Sequence, residues 1–341
     1  MSATRTLDVL VVGGGTFGTA LTTLLVELHR DVRLWVRRED QAEEINTRHT
    51  STRYLPGVSL HPDLMATTDL SAGVRAARVV LMAVPSKAFR DVAHAVGDHL
   101  EGDQVLVHTT KGLERGTYKR MSEILREETC ARKIGVLSGP NLAMEILAGH
   151  PAGGLVASRY AEVVAAVQKP FEGGRFRLYG GRDVIGTEIA GSFKNIIALA
   201  AGVVDGLALG DNTKALLLTR GLSEMARFGV ALGADVFTFG GLAGIGDLMC
   251  TCASPLSRNH QVGVRVARGE KLSDILTSMP HVAEGVPTAE AVHRQALDLG
   301  LHLPIVRAVY GVIHEGWSGR EALENLMQLR VGDELASLRF K

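Results

Sequence analysis

A chain of 341 residues, 46% of them hydrophobic, is long for one domain and natural for two, each with a core of its own. Its 37 basic side chains balance its 37 acidic ones, so net charge gives no reason to expect nucleic acid or an anionic membrane as partner. A local basic pocket remains compatible with that balance.

The amino-terminal stretch MSATRTLDVLVVGGG does not read as a secretory leader, because its short apolar run passes into glycines rather than a small-residue cleavage site. Leu7 to Val12 reads as a strand instead. Further strand-like runs follow at Val32 to Val36, Val79 to Val84, Val105 to Thr109 and Ile134 to Leu137, with amphipathic segments between them. Such alternation predicts a parallel, doubly wound α/β sheet. From Val184 onward apolar residues recur at helical spacing, as in Phe193, Ile196, Ile197 and Ala200, and clear strands cease. We therefore expect a dinucleotide-binding, Rossmann-type domain over 1–182 and a mostly α-helical substrate-binding domain over 183–341. No run of about eighteen uncharged apolar residues is present, so no transmembrane helix is expected. The cysteines, Cys130, Cys250 and Cys252, form an odd and sparse set that suits a reducing cytosol, and a cytoplasmic location is expected.

Gly13-Gly14-Gly15-Thr16-Phe17-Gly18 is a G-x-G-x-x-G placed between a predicted strand and a predicted helix. Gly13, Gly15 and Gly18 then permit the tight turn and the close approach of a pyrophosphate to the helix N-terminus. Where many NAD sites carry an acidic residue for the ribose hydroxyl, the second strand here ends in Arg37-Arg38, ahead of Glu39 and Asp40. Guanidinium groups suit a 2′-phosphate, so NADP(H) is favoured and NAD(H) remains open. Three more strand ends carry small or polar groups where a ligand can lie: Val84-Pro85-Ser86, Thr110-Lys111-Gly112 and Ser138-Gly139-Pro140-Asn141. Lys111 suits a phosphate or a carbonyl there, or is a surface lysine at a turn.

The second half holds three unusual stretches. Lys194 and Asn195 interrupt the apolar helix of Gly191-Ser192-Phe193-Lys194-Asn195-Ile196-Ile197. Asp247 follows a glycine-rich approach from Gly240 to Gly246. Ser254-Pro255-Leu256-Ser257-Arg258-Asn259 pairs a guanidinium with an amide. Singly, these read as a snorkelling lysine, a turn and a cap. Jointly, they offer what alcohol oxidation needs: a base in Lys194, its partner in Asp247, and an anion clamp in Arg258 and Asn259. A free lysine titrates near ~10.4, too high for a neutral-pH base. Burial and the charges of Lys111 and Arg258 lower that value while Asp247 raises it, so the balance is not legible from sequence. The chemistry requires no metal, and Cys250-x-Cys252 offers two thiols where a structural site uses four ligands.

With these residues in view, the chain resembles bacterial NAD(P)-dependent glycerol-3-phosphate dehydrogenase. The resemblance runs through GGGTFGTAL, TTKGLE, LSGPNLAMEI, GSFKNIIALAAGVVDGLALGDNTKALLLTRG, GGLAGIGDLMCTC and SPLSRN, in order, over nearly the whole chain. It implies hydride transfer between NAD(P)H and dihydroxyacetone phosphate, giving sn-glycerol 3-phosphate, a precursor for phospholipid synthesis. It implies an active site between the two domains, with Lys194 as the catalytic lysine. It further implies that Lys111, Asp247, Thr251, Arg258 and Asn259 surround the substrate and its phosphate, with Gly139, Asn141 and Ser257 as additional contacts. Thr16, Phe17, Arg37, Arg38, Lys111, Ala143, Arg258, Val282 and Glu284 are the implied cofactor contacts. Two positions depart from the family's commonest pattern. Phe17 replaces a frequent tryptophan or tyrosine and keeps the ring, and Asn141 replaces a frequent threonine and keeps hydrogen-bonding capacity. The expected partner is a small molecule, with neither nucleic acid nor membrane insertion. The sequence leaves oligomeric state open, a homodimer included. Competing readings are a dehydrogenase for a hydroxy acid or acyl thioester, a cofactor-holding redox sensor and a methyltransferase. None of them requires Lys194, Asp247 and Arg258-Asn259 together.

Overall fold

Ten strands form where short apolar runs meet turn residues: β1 (Leu7–Val12), β2 (Val32–Trp35), β3 (Thr50–Ser51), β4 (Leu55–Ser59), β5 (Ala66–Thr67), β6 (Ala77–Met82), β7 (Val105–His108), β8 (Ile134–Ser138), β9 (Ala152–Ala157) and β10 (Phe176–Gly181). They belong to a computed structural model that describes residues 5–279, 283–330 and 332. Eight of them make one sheet in the order β10-β9-β8-β7-β6-β1-β2-β5, and β3 pairs with β4 apart from it. The chain switches direction across the sheet at β1, which has β2 on one side and β6 on the other. Val12 is level with Trp35 and with Met82, so the loops after these three strands leave from one edge, where doubly wound sheets bind ligands.

The expectation of a parallel sheet holds from β5 through to β8. It fails at β9, which runs antiparallel to β8 with Val136 opposite Ala157. The segments AGGLVA and FRLYGG lack the apolar density of the inner strands, which hid them in the sequence. A Cβ at Gly154 in β9 would stand 3.1 Å from the Ser138 carbonyl oxygen, a tight approach that favours glycine.

Both faces of the sheet are covered. Val9 and Val11 pack under the helices Thr16–Glu27 and Ala161–Phe171 through Leu21, Leu25, Val163 and Val167. Leu10 and Val12 point to the opposite face, among Val74, Phe89, Val96 and Ile124. That alternation is the period of two expected of a strand buried on both sides.

Two units result. One takes the chain up to Thr110 together with Met121–Val184; the other takes Lys111–Arg120 and the chain from Ile185 onward. Residues 111–120 thus lie within the sequence span 1–182 but group with the helical unit. The axis of that unit is the helix Val184–Gly206, in which Phe193, Ile196 and Ile197 are fully buried. By length and mean hydropathy, 1.3, this helix could cross a membrane, yet 89% of its apolar window is buried inside the protein. Its close neighbour is the helix Arg258–Ala267. A Cβ at Gly202 would lie 2.1 Å from the His260 carbonyl oxygen, and one at Gly263 would lie 2.1 Å from that of Leu199. The two helices therefore touch backbone to backbone, which fixes where Arg258 and Asn259 start relative to Lys194.

Candidate active site

In the sheet unit, the loop after β1 carries the glycines. Gly13 has φ 120°, and a Cβ there would meet the Ala83 carbonyl oxygen at 2.5 Å. A Cβ at Gly18 would lie 2.0 Å from the Gly13 carbonyl oxygen, so both positions demand glycine. Gly15 differs, since a Cβ there would meet nothing within 4 Å. It stands at the N-cap of the helix Thr16–Glu27, where no side chain caps the helix. With the space beside Gly15 open, that uncapped N-terminus is a setting that suits a dinucleotide's diphosphate. Gln41, which sequence reasoning passed over, is buried and donates from Nε2 to the Gly14 carbonyl oxygen at 2.7 Å. Thr16 donates to the Tyr54 carbonyl oxygen at 3.2 Å, and Phe17 and Ala143 pack against the core beneath.

The two arginines after β2 are not equivalent. Both are exposed. Arg38 is engaged by Asp40, with Nε donating to Oδ1 at 2.8 Å and Nη2 paired to the other oxygen. Arg37 has no ion pair among the described residues. Beyond β8, Gly139 has φ 131°, and a Cβ there would approach Gly154 Cα at 3.0 Å; Asn141 is buried after it.

In the helical unit the buried polar residues converge. Lys194 Nζ donates to Asp247 Oδ1 at 2.5 Å and to Thr251 Oγ1 at 2.7 Å. Lys111 Nζ donates to the other oxygen of the same carboxylate, Oδ2, at 2.8 Å. Two ammonium groups share one carboxylate, and Asp247 is 2% exposed and Lys194 6%. Burial pushes Lys194 down from 10.5 to about 8; Asp247 opposes the shift and Lys111 adds to it. A lysine so placed exchanges its proton near neutrality, as an acid–base group must.

The segment before Asp247 builds this placement. Leu242–Gly246 is a single wide turn, closed by Gly246 N–H donating to the Gly241 carbonyl oxygen at 3.2 Å. Such turns are uncommon and gather at functional sites. A Cβ at Gly244 would sit 2.1 Å from the Phe239 carbonyl oxygen and 2.5 Å from two further backbone atoms of Phe239. The helix Asp247–Ala253 then presents Asp247 and Thr251 one turn apart.

A second buried chain of bonds lies beside the first. Asn259 Nδ2 donates to Asn195 Oδ1 at 2.9 Å, and Asn259 Oδ1 accepts from Gly285 N–H at 2.9 Å. Asn195 stood out in the sequence without a role; here it orients the Asn259 amide. Ser257 caps the helix Arg258–Ala267 by accepting from His260 N–H at 3.3 Å. Arg258 is the first residue of that helix, and burial lowers the pKa of its guanidinium; a cation beside a helix N-terminus suits an anion. The Glu284 carboxylate opposes that effect of burial. Val282 lies outside the described residues. Cys250 and Cys252 lie on the helix Asp247–Ala253, and neither is in a disulfide.

Comparison with known proteins identifies the family. A family model described as NAD-dependent glycerol-3-phosphate dehydrogenase N-terminus matches residues 8–164, and its C-terminus counterpart matches residues 183–324. The chain is 44% identical to glycerol-3-phosphate dehydrogenase [NAD(P)+] of Geobacillus thermodenitrificans, over 94% of each chain. It is 42% identical to the protein of that name from Teredinibacter turnerae, over 95% of each. Among solved structures, glycerol-3-phosphate dehydrogenase from Coxiella burnetii superposes with a TM-score of 0.89 at 33% identity, covering 94% of this chain and 98% of that one.

Proposed function

Because the chain belongs to the NAD-dependent glycerol-3-phosphate dehydrogenase family, we propose that Lys194 is the residue that moves the proton in its reaction. The enzyme interconverts sn-glycerol 3-phosphate and dihydroxyacetone phosphate with NAD(P)(H). The observation that carries the assignment is the buried carboxylate of Asp247 shared between Lys194 and Lys111. The bound nicotinamide accepts or supplies the hydride. In reduction, the Lys194 ammonium gives its proton to the carbonyl oxygen; in oxidation, the neutral amine takes the proton of the hydroxyl. Asp247 and Thr251 hold the amine in one orientation. Lys111, on the other oxygen of the same carboxylate, adds a second basic group that offsets the substrate's negative charge. Gly139, Asn141, Ser257, Arg258 and Asn259 complete the substrate contacts in this reading. Gly13, Gly15, Thr16, Phe17, Gly18, Ala143 and Glu284 hold the cofactor, and three cysteines outside any disulfide suit work in a reducing cytoplasm.

Arg258 and the N–H groups of its helix receive the substrate phosphate. Reduction of dihydroxyacetone phosphate, followed by NADPH absorbance, should therefore greatly exceed reduction of unphosphorylated dihydroxyacetone. Arg258→Ala should raise KM for the phosphorylated substrate by roughly 10- to 150-fold, the worth of a charge-assisted bond. Equal use of the two substrates, or an unchanged KM, would sink the phosphate assignment.

Arg37 reads the 2′-phosphate of NADPH, since Arg38 is already occupied by Asp40. Arg37→Ala should lower kcat/KM with NADPH by about 10-fold or more and leave NADH nearly untouched. Arg38→Ala should have the smaller effect. Equal losses with both cofactors in Arg37→Ala would assign that side chain to the loop instead.

A further inference from the structure

Two charges in the helical unit take no part in the proton transfer. Glu188 lies on the same helix as Lys194, and its side chain is 3% exposed; it accepts from Arg120 Nη1 at 2.8 Å, and the Arg120 side chain is 13% exposed. A buried ion pair is weak evidence of stability, because desolvation of both partners offsets much of their attraction. Its better-attested use is to fix register between elements.

The element it fixes is the excursion Lys111–Arg120, which groups with the helical unit while its flanks on both sides belong to the sheet unit. Leu113 and Arg120 pair as an antiparallel bridge. Glu114 N–H donates to the Lys119 carbonyl oxygen at 2.9 Å, and Tyr118 N–H to that of Glu114 at 2.9 Å. Gly116 and Tyr118, with φ 88° and 58°, turn the chain back on itself. The tip is held by Gln295 Nε2, which donates to the Tyr118 carbonyl oxygen at 3.3 Å. The excursion is thus a closed hairpin. Lys111 is one foot, resting on Asp247, and Arg120 is the other, resting on Glu188.

We propose that Arg120 and Glu188 are positioning residues for the reaction: by pinning the far foot of the hairpin to the helix of Lys194, they keep the Lys111 ammonium on Asp247 beside Lys194. The proposal rests on Lys194 as the proton-transfer group. Among the described residues, the charges that act on Lys194 are Asp247 and Lys111; the Cys252 thiol stays neutral because burial pushes it up to about 12. Lys111 is the only one of these charges that weakens Lys194's hold on its proton. Loosening the hairpin withdraws that repulsion and leaves Asp247 to Lys194 alone, and both changes strengthen the hold.

The test is the pH dependence of kcat/KM for dihydroxyacetone phosphate reduction in Glu188→Gln and in the double variant Arg120→Gln/Glu188→Gln. The double variant replaces both buried charges together and orphans neither, so it keeps the test open if Glu188→Gln fails to fold. The alkaline fall in rate should move up by about one pH unit, with kcat reduced roughly tenfold. Arg120→Lys should restore most of both. Lys111→Met should produce the same shift, and Lys111→Met/Glu188→Gln should shift no further, because the two act through one route. An unmoved alkaline limb in the folded double variant, or shifts that add in the combined one, would overturn the proposal. A Lys194→Met enzyme that keeps the limb would remove the Lys194 reading instead. A limb lost there but unmoved in the pair variants overturns the positioning role alone.

Discussion

Lys194→Ala loses kcat by about 10²- to 10⁴-fold in both directions, the contribution of a general acid–base group, while NADPH binding followed by fluorescence stays close to that of the native enzyme. The native pH profiles identify the same group. Lys194 is held at about 8 rather than 10.5. Reduction needs the ammonium form, so its kcat/KM is highest below about pH 8 and falls as pH rises through it. Oxidation needs the free amine, so its kcat/KM climbs over the same interval and levels off above it. Both limbs should vanish in the alanine variant. A near-native kcat there, or two profiles that move together with pH, would make Lys194 a structural lysine.

Gly244→Ala should be the most damaging single methyl addition in the helical unit's site. The new Cβ would overlap three backbone atoms of Phe239 at 2.1–2.5 Å, and backbone cannot swing aside as a side chain can. Steric strain of this kind costs about 2–4 kcal/mol, or roughly 3–6 °C in Tm for a protein of this size. Whatever relief the turn finds must shift Asp247, so activity should fall further than stability accounts for, and most steeply at alkaline pH in the reduction direction, because a withdrawn carboxylate lets Lys194 lose its proton at lower pH. Gly240→Ala is the control, because a Cβ at Gly240 meets nothing within 4 Å. Equal melting of the two variants would show that the wide turn yields freely and that its geometry is not what seats the carboxylate.

The sequence disclosed the inner sheet because strands buried on both faces are dense in valine, leucine and isoleucine; β1, β6, β7 and β8 are of that kind. It hid β9 and β10, at one end of the sheet, because Gly153, Gly154, Gly180 and Gly181 thin their apolar pattern. It disclosed Lys194 and Asp247 as lone charges in apolar or glycine-rich surroundings. It did not disclose that Lys111 and Lys194 hold opposite oxygens of one carboxylate, since that depends on a hairpin whose short pairing has no periodic signature. Nor could it separate Arg37 from Arg38. That distinction rests on the side chain of Asp40, whose bond to Arg38 is a matter of rotamer rather than of spacing.

The excursion Lys111–Arg120 also bears on how such chains can be recombined. A chimera joined near residue 184 would bring its helical unit from one parent and that unit's hairpin from the other. Arg120 would meet a foreign Glu188 position, and Lys111 a foreign Asp247. Exchanges that leave every core intact should therefore vary widely in turnover according to whether those contacts are matched. Moving residues 111–120 along with the helical half should recover the loss. The unit of inheritance for this chemistry is a discontinuous piece of chain, and a single crossover cannot transplant it whole.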